Sequence, residues 1–589
     1  MTLEQALNQV ASAIGEKDFK RARIILESHE KEYGGDPYFL WTQAIYEQSK
    51  GSDKKSVVLP LLEKAYNGGL QELNFLRQYG MLLHEFSAYA EACKVLGKIV
   101  QIKKDDIETF LILADIFLKT GNPVTAMNTL KLAAKINPAH SSMPTIYCGI
   151  ADALMISGYQ EESVEMYKKA FELDNRNNNI ASDYLFHLNY VVMIREDFFQ
   201  LCLKYRTLWE NEVIITRPSF PHTEKIKIGF ISGDFRFHAV SFFVRSIFEN
   251  YDKNRFEIHL FSALKQERYD KITKMFRGQT DRWHDISNIG HQDAADIIKK
   301  ENITVLIDLG GHTNSAVLLN IFGLRPAPVQ ASYCGYPNTT GLKSIDYRIT
   351  DRICEPDDAQ DYHSEQLFKI DECFLCYQPY FENFPECSFK NLQSRPIVFG
   401  SFNNLSKITA KTIKLWCGVI NAVNGSKIVL KGKYLNDPKL REITVSRFME
   451  NGLDASRIII LGFTYGIKEH YSQYNEIDIA LDTFPYNGTT TTCDALYMGV
   501  PVITILGDRH VSRVSASLLN AVGLGELVAK DEEEFVKIAV DLAGNIQKLA
   551  EIKRNLRSKM QKSPLMDKKS FILKWQNAIL DMINEVRNK

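Results

Sequence analysis

The sequence predicts an α/β protein in which an all-α repeat array precedes two Rossmann-like lobes in tandem. Three observations predict it. Residues up to about Arg206 carry helix-length amphipathic segments and almost no proline. From Lys225 onward, short β-branched apolar runs alternate with helical patterns, and that alternation restarts at Ile397. The expected boundaries are 1–210 for the helical repeats, 211–224 for a linker, 225–390 for the first lobe and 391–589 for the second.

At 589 residues the chain is too long for a single core. It is 45% hydrophobic and 24% charged with a formal net charge of −1, which argues against binding nucleic acid by bulk charge. Ten cysteines over this length make no disulfide framework, and Cys373-Phe374-Leu375-Cys376 reads as an apolar strand with two reduced thiols. The N-terminus reads as an amphipathic helix rather than a signal peptide, and no apolar run has the length of a membrane span. A soluble, cytoplasmic protein is expected, without membrane or nucleic-acid partners.

The helices repeat. GNPVTAMNTLKLAAKINP from Gly121 resembles GYQEESVEMYKKAFELDN from Gly158, and AYAEACKVLGKIVQIKKDD from Ala88 fits the same frame. A small residue recurs at Ala92, Ala126 and Ser163, in steps of 34 and 37, and Asp18–Ala22 starts an earlier copy. Glycine at the turn and a period near 34 form the tetratricopeptide pattern, here with three or four repeats. Such a stack leaves a concave groove suited to an extended protein or peptide. A helical bundle serving only dimerisation or solubility is the alternative.

The first lobe opens with KIKIGFI from Lys225, followed by FEIHLFSAL from Phe256, TVLIDLGG from Thr304 and PVQASYCGYP from Pro328. The second has IVFGSFNN from Ile397, SKIVLKGK from Ser426, RIIILGF from Arg457, IDIALDTF from Ile477 and PVITILGD from Pro501. Their apolar character suits buried parallel strands, whose carboxyl ends face a ligand crevice in doubly wound folds. The amphipathic segment from Lys569 to Asn588 suits a helix packing back across the lobes.

The loop after Ile477–Asp482 is the most informative. It runs through Asn487-Gly488 and four threonines into a segment of helical spacing. A loop emptying at a helix N-terminus is a natural anion site, to which Thr489, Thr490, Thr491 and Thr492 add hydroxyls. Asp494, placed just inside the first turn, suits the vicinal hydroxyls of a sugar. The loop therefore reads as a holder of a nucleotide-sugar diphosphate and ribose, or as a threonine-capped helix with a solvated aspartate.

The other candidates also follow strands. His238 stands in SGDFRFHAV as a general base or as a loop histidine capping backbone groups. Gly311 and His312 follow the strand from Thr304, with the glycine allowing close backbone approach and the imidazole on the cleft face. Tyr336 belongs to a tight turn, Gly335–Gly341, also explicable as plain turn chemistry. In the second lobe Lys407 is a point charge for a diphosphate leaving group, or a solvated lysine. His470 opens a helix whose amides face a base or phosphate. The nearest acidic pair, Glu476 and Asp478, enters a strand rather than leaving one, so no metal and no other cofactor is expected. No Walker loop, GxGxxG or GxSxG points to an ATPase, dehydrogenase or hydrolase.

Together, RPAPVQASYCGYPNTTG from Arg325, DYRITD from Asp346, FGSFNNLSKIT from Phe399 and IDIALDTFPYNGTTTTCDALYMGVPVIT from Ile477 resemble the SPINDLY and O-linked N-acetylglucosamine transferase group of protein glycosyltransferases. The likeness spans roughly Lys225 to Leu565 and is closer to the SPINDLY branch and its bacterial relatives. It implies a GT-B fold and metal-free, inverting transfer from a nucleotide sugar to Ser/Thr of proteins. By the same resemblance His238 matches the active-site histidine, a base in some accounts, and Lys407 the lysine on the diphosphate. Asn404 falls where the animal enzymes have a donor-site glutamine, and His470 matches a histidine near the base. Thr490 and Thr491 match phosphate-binding threonines, with Gly488 in the same donor loop, and Asp494 the ribose carboxylate. Two departures, Thr489 for a histidine and His312 for a tyrosine, follow SPINDLY. The donor expected is UDP-N-acetylglucosamine, with the GDP-fucose of plant SPINDLY as the alternative. A tetratricopeptide scaffold without catalysis is the reading from another class. The sequence leaves the acceptor protein and the oligomeric state open, a homo-oligomer included.

Overall fold

A computed structural model of the chain describes all residues except 211–215, 315, 382, 388–391 and 589; the side chains of 314, 316 and 317 are likewise left aside. The chain divides into two compact units, Met1–Ala153 and Leu154–Lys589.

The first unit is a helical-repeat array of four consecutive helix pairs: Leu3–Gly15 with Phe19–Tyr33, Pro37–Ser49 with Leu59–Asn67, Leu73–Glu85 with Tyr89–Ile102, and Ile107–Lys119 with Pro123–Ile136. Helix starts are capped by local chemistry. Thr2 and Gln5 form a reciprocal capping box, and Asp36 accepts from the Tyr38 and Phe39 amides with Pro37 at the first helical position. The recurrent small residues Ala22, Ala92 and Ala126 have no exposure, because neighbouring helices meet there too closely for a larger side chain. The pair Pro37–Asn67 escapes the period read from sequence because a π-helical turn, Lys54–Val58, lengthens its connection.

The second unit begins inside the helix Met143–Ile156. The helices Gln160–Leu173, Asn178–His187 and Arg195–Tyr205 belong to it through hydrogen bonds into the α/β part. Gln160 Nε2 donates to the Ser406 carbonyl at 2.8 Å, Asn178 bonds Asn320 at 3.1 Å, and Arg509 donates to the Leu188 and Val191 carbonyls. The expected linker begins in 211–215, outside the described residues, as does the expected lobe boundary at 390/391; residues 216–223 have no regular secondary structure.

Two all-parallel sheets follow. The first contains β1 (Ile226–Ser232), β2 (Phe256–Ser262), β3 (Arg282–Asp285), β4 (Val305–Asp308), β5 (Val329–Tyr333), β6 (Tyr347–Thr350) and β7 (Gln366–Lys369), in the order β3-β2-β1-β4-β5-β6-β7. The second contains β8 (Val398–Ser401), β9 (Lys427–Lys431), β10 (Ile458–Leu461), β11 (Ile479–Leu481), β12 (Val502–Ile505) and β13 (Val528–Ala529), in the order β10-β9-β8-β11-β12-β13. Ile228 pairs with both Ile258 and Val305, and Ala480 with Gly400 and Val502, so the strand order reverses between β1 and β4 and between β8 and β11. Loops leaving the carboxyl ends at such reversals diverge and open a crevice.

Cys373–Cys376 is buried but forms no strand, and its thiols are free. The helix Lys568–Asn588 crosses back to the first sheet, where Trp575 stacks on Phe230 of β1 at 5.9 Å and Glu585 accepts from the Tyr347 hydroxyl. Among the described residues no helix is long and apolar enough to cross a membrane.

Candidate active site

The crevice at the two reversals is a cavity of about 780 Å³. From the first lobe, Gly233–Val240 after β1 and Leu309 and Thr313 after β4 line it; from the second, Asn404, Lys407, Tyr486 and Thr489–Thr491 do.

The second-lobe loop is built around Asp482, which ends β11 and is buried. Its carboxylate accepts from the Gly488 N–H at 2.8 Å, the Thr504 hydroxyl at 2.8 Å and Asn403 Nδ2 at 3.4 Å. Ser515 donates to the Gly488 carbonyl, and the Asn487 N–H to the Val511 carbonyl. The loop delivers the chain to the helix Thr490–Tyr497, whose N-cap residue, Thr489, makes no side-chain cap bond. The first-turn amides thus open toward the cavity. The Thr490 Oγ1 atom is buried without a partner.

Lys407 reaches this loop from the turn Leu405–Lys407 that follows β8. Its Nζ donates to the Asn487 carbonyl at 2.8 Å and lies 3.9 Å from the centre of the Tyr486 ring. Burial pulls its pKa down to about 8, against the opposing pull of Asp482, so the ammonium remains charged near neutrality. A charged, poorly hydrated ammonium beside an open helix N-terminus is arranged to receive an anion. Asn404 is exposed at the rim, and its side chain caps the short turn Leu405–Lys407 that aims the lysine.

Across the cavity His238 precedes the helix Ser241–Asn250. Its Nδ1 accepts from the Val240 N–H at 3.4 Å and lies 3.9 Å from Asp234 Oδ2. Burial lowers its pKa, so the ring is neutral at pH 7 and able to hold or take an acceptor proton.

Several expected positions fall elsewhere. His312 is fully buried and does not line the cavity: its Nε2 donates to the Thr340 carbonyl at 3.1 Å, its Nδ1 bonds the Ser182 hydroxyl at 2.8 Å, and burial lowers its pKa to about 4. Both ring nitrogens serve the seam between the helix Asn178–His187 and the first lobe, so it is a packing histidine. Tyr336 is buried beside it with its hydroxyl accepting from Asn189, while its neighbours Gly335 and Pro337 face the cavity. Gly311 adopts φ +52 and a Cβ there would run into the Tyr336 ring, so its glycine serves packing rather than ligand approach. Gly488 similarly commits its amide to Asp482. Asp494 lies a turn deeper in its helix than expected and does not line the cavity. Its Oδ1 accepts from the Tyr377 and Tyr471 hydroxyls at 2.7 and 3.1 Å, and burial raises its pKa to about 7. His470 also lies outside the cavity lining, with Nδ1 2.6 Å from the Lys431 amine.

Tyr486, His510, Arg236 and Arg268 line the cavity without having been singled out from sequence. His510 Nδ1 is 3.0 Å from Glu355, a first-lobe carboxylate that also lies 3.2 Å from His363. No local motif marks that arrangement, since its members come from different lobes.

The model of glycosyl transferase family 41 matches residues 184–378 and 385–575, and a tetratricopeptide-repeat model matches 144–177. A rice (Oryza sativa subsp. japonica) protein named probable UDP-N-acetylglucosamine–peptide N-acetylglucosaminyltransferase SPINDLY is 36% identical over 435 residues, 71% of this chain and 46% of the relative. The Arabidopsis thaliana protein of the same name is 36% identical over 427 residues, 70% of this chain and 46% of its own length. The chain therefore spans less than half the length of these plant relatives. A solved structure of a Thermobaculum terrenum O-GlcNAc transferase mutant superposes with a TM-score of 0.80 at 26% identity, covering 87% of this chain and 98% of that one. The repeat array thus precedes a GT-B pair of lobes. Because the family match runs through both lobes and every loop that builds the crevice, the chain belongs to glycosyl transferase family 41.

Proposed function

We propose that this protein is an inverting protein O-glycosyltransferase that moves N-acetylglucosamine from UDP-N-acetylglucosamine to Ser or Thr hydroxyls of protein acceptors. The observation that carries the reading is the Lys407 ammonium, 2.8 Å from the Asn487 carbonyl, facing the open end of Thr490–Tyr497 and the unpartnered Thr490 hydroxyl. The acceptor oxygen attacks the sugar C1 from the first-lobe side as the bond from C1 to the diphosphate oxygen breaks on the opposite face. Lys407, the helix amides and Thr490 stabilise the departing charge, doing without a metal ion, and His238 positions or takes the acceptor proton. The helical repeats supply the surface along which an extended acceptor lies.

The test is a thermal-shift panel with UDP, UDP-N-acetylglucosamine, GDP and GDP-fucose, followed by transfer to acceptor proteins with EDTA present. Ligands of the native state raise the melting temperature by linkage, so selective stabilisation by the uridine pair is expected, with transfer surviving EDTA. Selective stabilisation by GDP and GDP-fucose would overturn the donor assignment. Donor binding without transfer to any protein would leave the scaffold reading.

A further inference from the structure

At the edge of the first sheet, β2 and β3 set two imidazoles side by side. His259 and His284 stack with ring centres 5.3 Å apart, and His259 Nδ1 lies 3.1 Å from His284 Nε2. Glu301, which ends the helix His291–Lys300 on the way to β4, brings Oε2 to 3.8 Å from the same His259 nitrogen. One ligand atom from each of the three lies within 4.8 Å of the others. The remaining His259 nitrogen, Nε2, is 2.8 Å from Glu257 Oε1. An ionised carboxylate only accepts, so the His259 proton sits on Nε2 and Nδ1 turns its lone pair toward His284 and Glu301.

We propose that His259 Nδ1, His284 Nε2 and Glu301 form a binding site for one divalent transition-metal ion of the zinc type, with Glu257 the outer carboxylate that orients His259. Two imidazoles and a carboxylate are a ligand set that zinc and its neighbours accept, leaving a fourth position for water. A carboxylate on the far nitrogen of a ligating histidine is the usual outer partner of such a site. Two cations stand against this set: Lys227, whose Nζ lies 4.0 Å from Glu257 Oε1 and donates to the Glu301 carbonyl at 3.2 Å, and Arg282, which shares β3 with His284. The carboxylates of Glu257 and Glu301 offset those two positive charges. Without metal, the same atoms make a His284 Nε2–H to His259 Nδ1 hydrogen bond. Metal binding moves the His284 proton to Nδ1 and draws Glu301 Oε2 in from its 3.8 Å separation.

None of the three lines the cavity, so the site is structural and separate from transfer chemistry. It would clip the short edge strand β3 to β2 and to the approach of β4. β3 leads directly into Ile286 and Ser287, which form the cavity wall.

The test uses the full chain, stripped with EDTA, dialysed and titrated calorimetrically with Zn²⁺, with Co²⁺ absorption as the reporter of nitrogen and oxygen ligation. One saturable equivalent and a rise in melting temperature are expected. His284→Ala and Glu301→Gln should weaken binding about tenfold or more, and Glu257→Gln by about 10–100-fold. His259 is fully buried and its removal endangers the fold, so the partly exposed His284 and Glu301 carry the test, with metal-free melting of each variant checking that it folds. No saturable binding by the unaltered protein overturns the proposal. So does binding left unchanged in both His284→Ala and Glu301→Gln.

Discussion

The two rims of the crevice are held in different ways. On the second lobe, the loop from Asp482 to Thr492 is tied from within by a buried carboxylate, two serine or threonine hydroxyls and the Asn487 backbone, and it lines the cavity through Tyr486 and Thr489–Thr491. On the first lobe, His238 has a 3.4 Å bond from its own loop and a 3.9 Å approach to Asp234, and its side chain stays 37% exposed. Fixed dipoles and charges stabilise a transition state because they need not reorganise when charge develops. The second lobe meets that condition, while the looser first-lobe rim would, under the proposed function, adjust to differing protein acceptors.

The largest effect expected from this contrast belongs to Lys407→Ala. Turnover should fall about 10³-fold while circular dichroism and melting behaviour remain close to the parent, because the proposed mechanism commits the lysine to leaving-group charge. Unchanged turnover would mean that the rigid rim is not the electrostatic one. A smaller loss, about 10²-fold, is expected for His238→Ala. Burial lowers the His238 pKa below its ordinary 6.5, so kcat/KM of the parent should hold through neutrality and decline only as the pH falls through that lowered value. The variant should lack this acid limb; its persistence would assign the titration to another group.

The smallest effect concerns stability. Asp494 titrates near 7 in the folded protein and near 3.8 when unfolded, so between those values the folded state keeps a proton that the unfolded chain releases. Its contribution to stability is therefore full below the lower value and lost as pH rises through the upper one. Asp494→Asn should raise the melting temperature by a few degrees at about pH 8 and leave it nearly unchanged at about pH 4. Equal shifts at both would show that the carboxyl is exposed to water in the folded state.

The strands legible in the sequence were those rich in apolar and β-branched residues, such as Ile479–Leu481 and Val502–Ile505, whose buried faces favour such side chains. Arg282–Asp285 and Gln366–Lys369 were passed over because edge strands keep one flank in water and carry charge there. The same physics divides the site. Thr489–Thr491 and Lys407 sit in the loops that leave the carboxyl ends of β11 and β8, which bring them to the crevice. His312 also follows a strand, yet Ser182 and Trp209, distant in sequence, turn it into the packing. His510 reaches the crevice beside Glu355 from the other lobe, a pairing that only tertiary structure creates.

The helix Lys568–Asn588 has a consequence for how the molecule is made. Its Trp575 covers Phe230, so the lobe synthesised earlier lacks part of its interior until the ribosome has completed the lobe that follows. During translation the two halves of the crevice therefore mature together rather than in sequence. A truncation that removes this last helix should injure the His238 side first, although every deleted residue lies after the last strand of the second lobe.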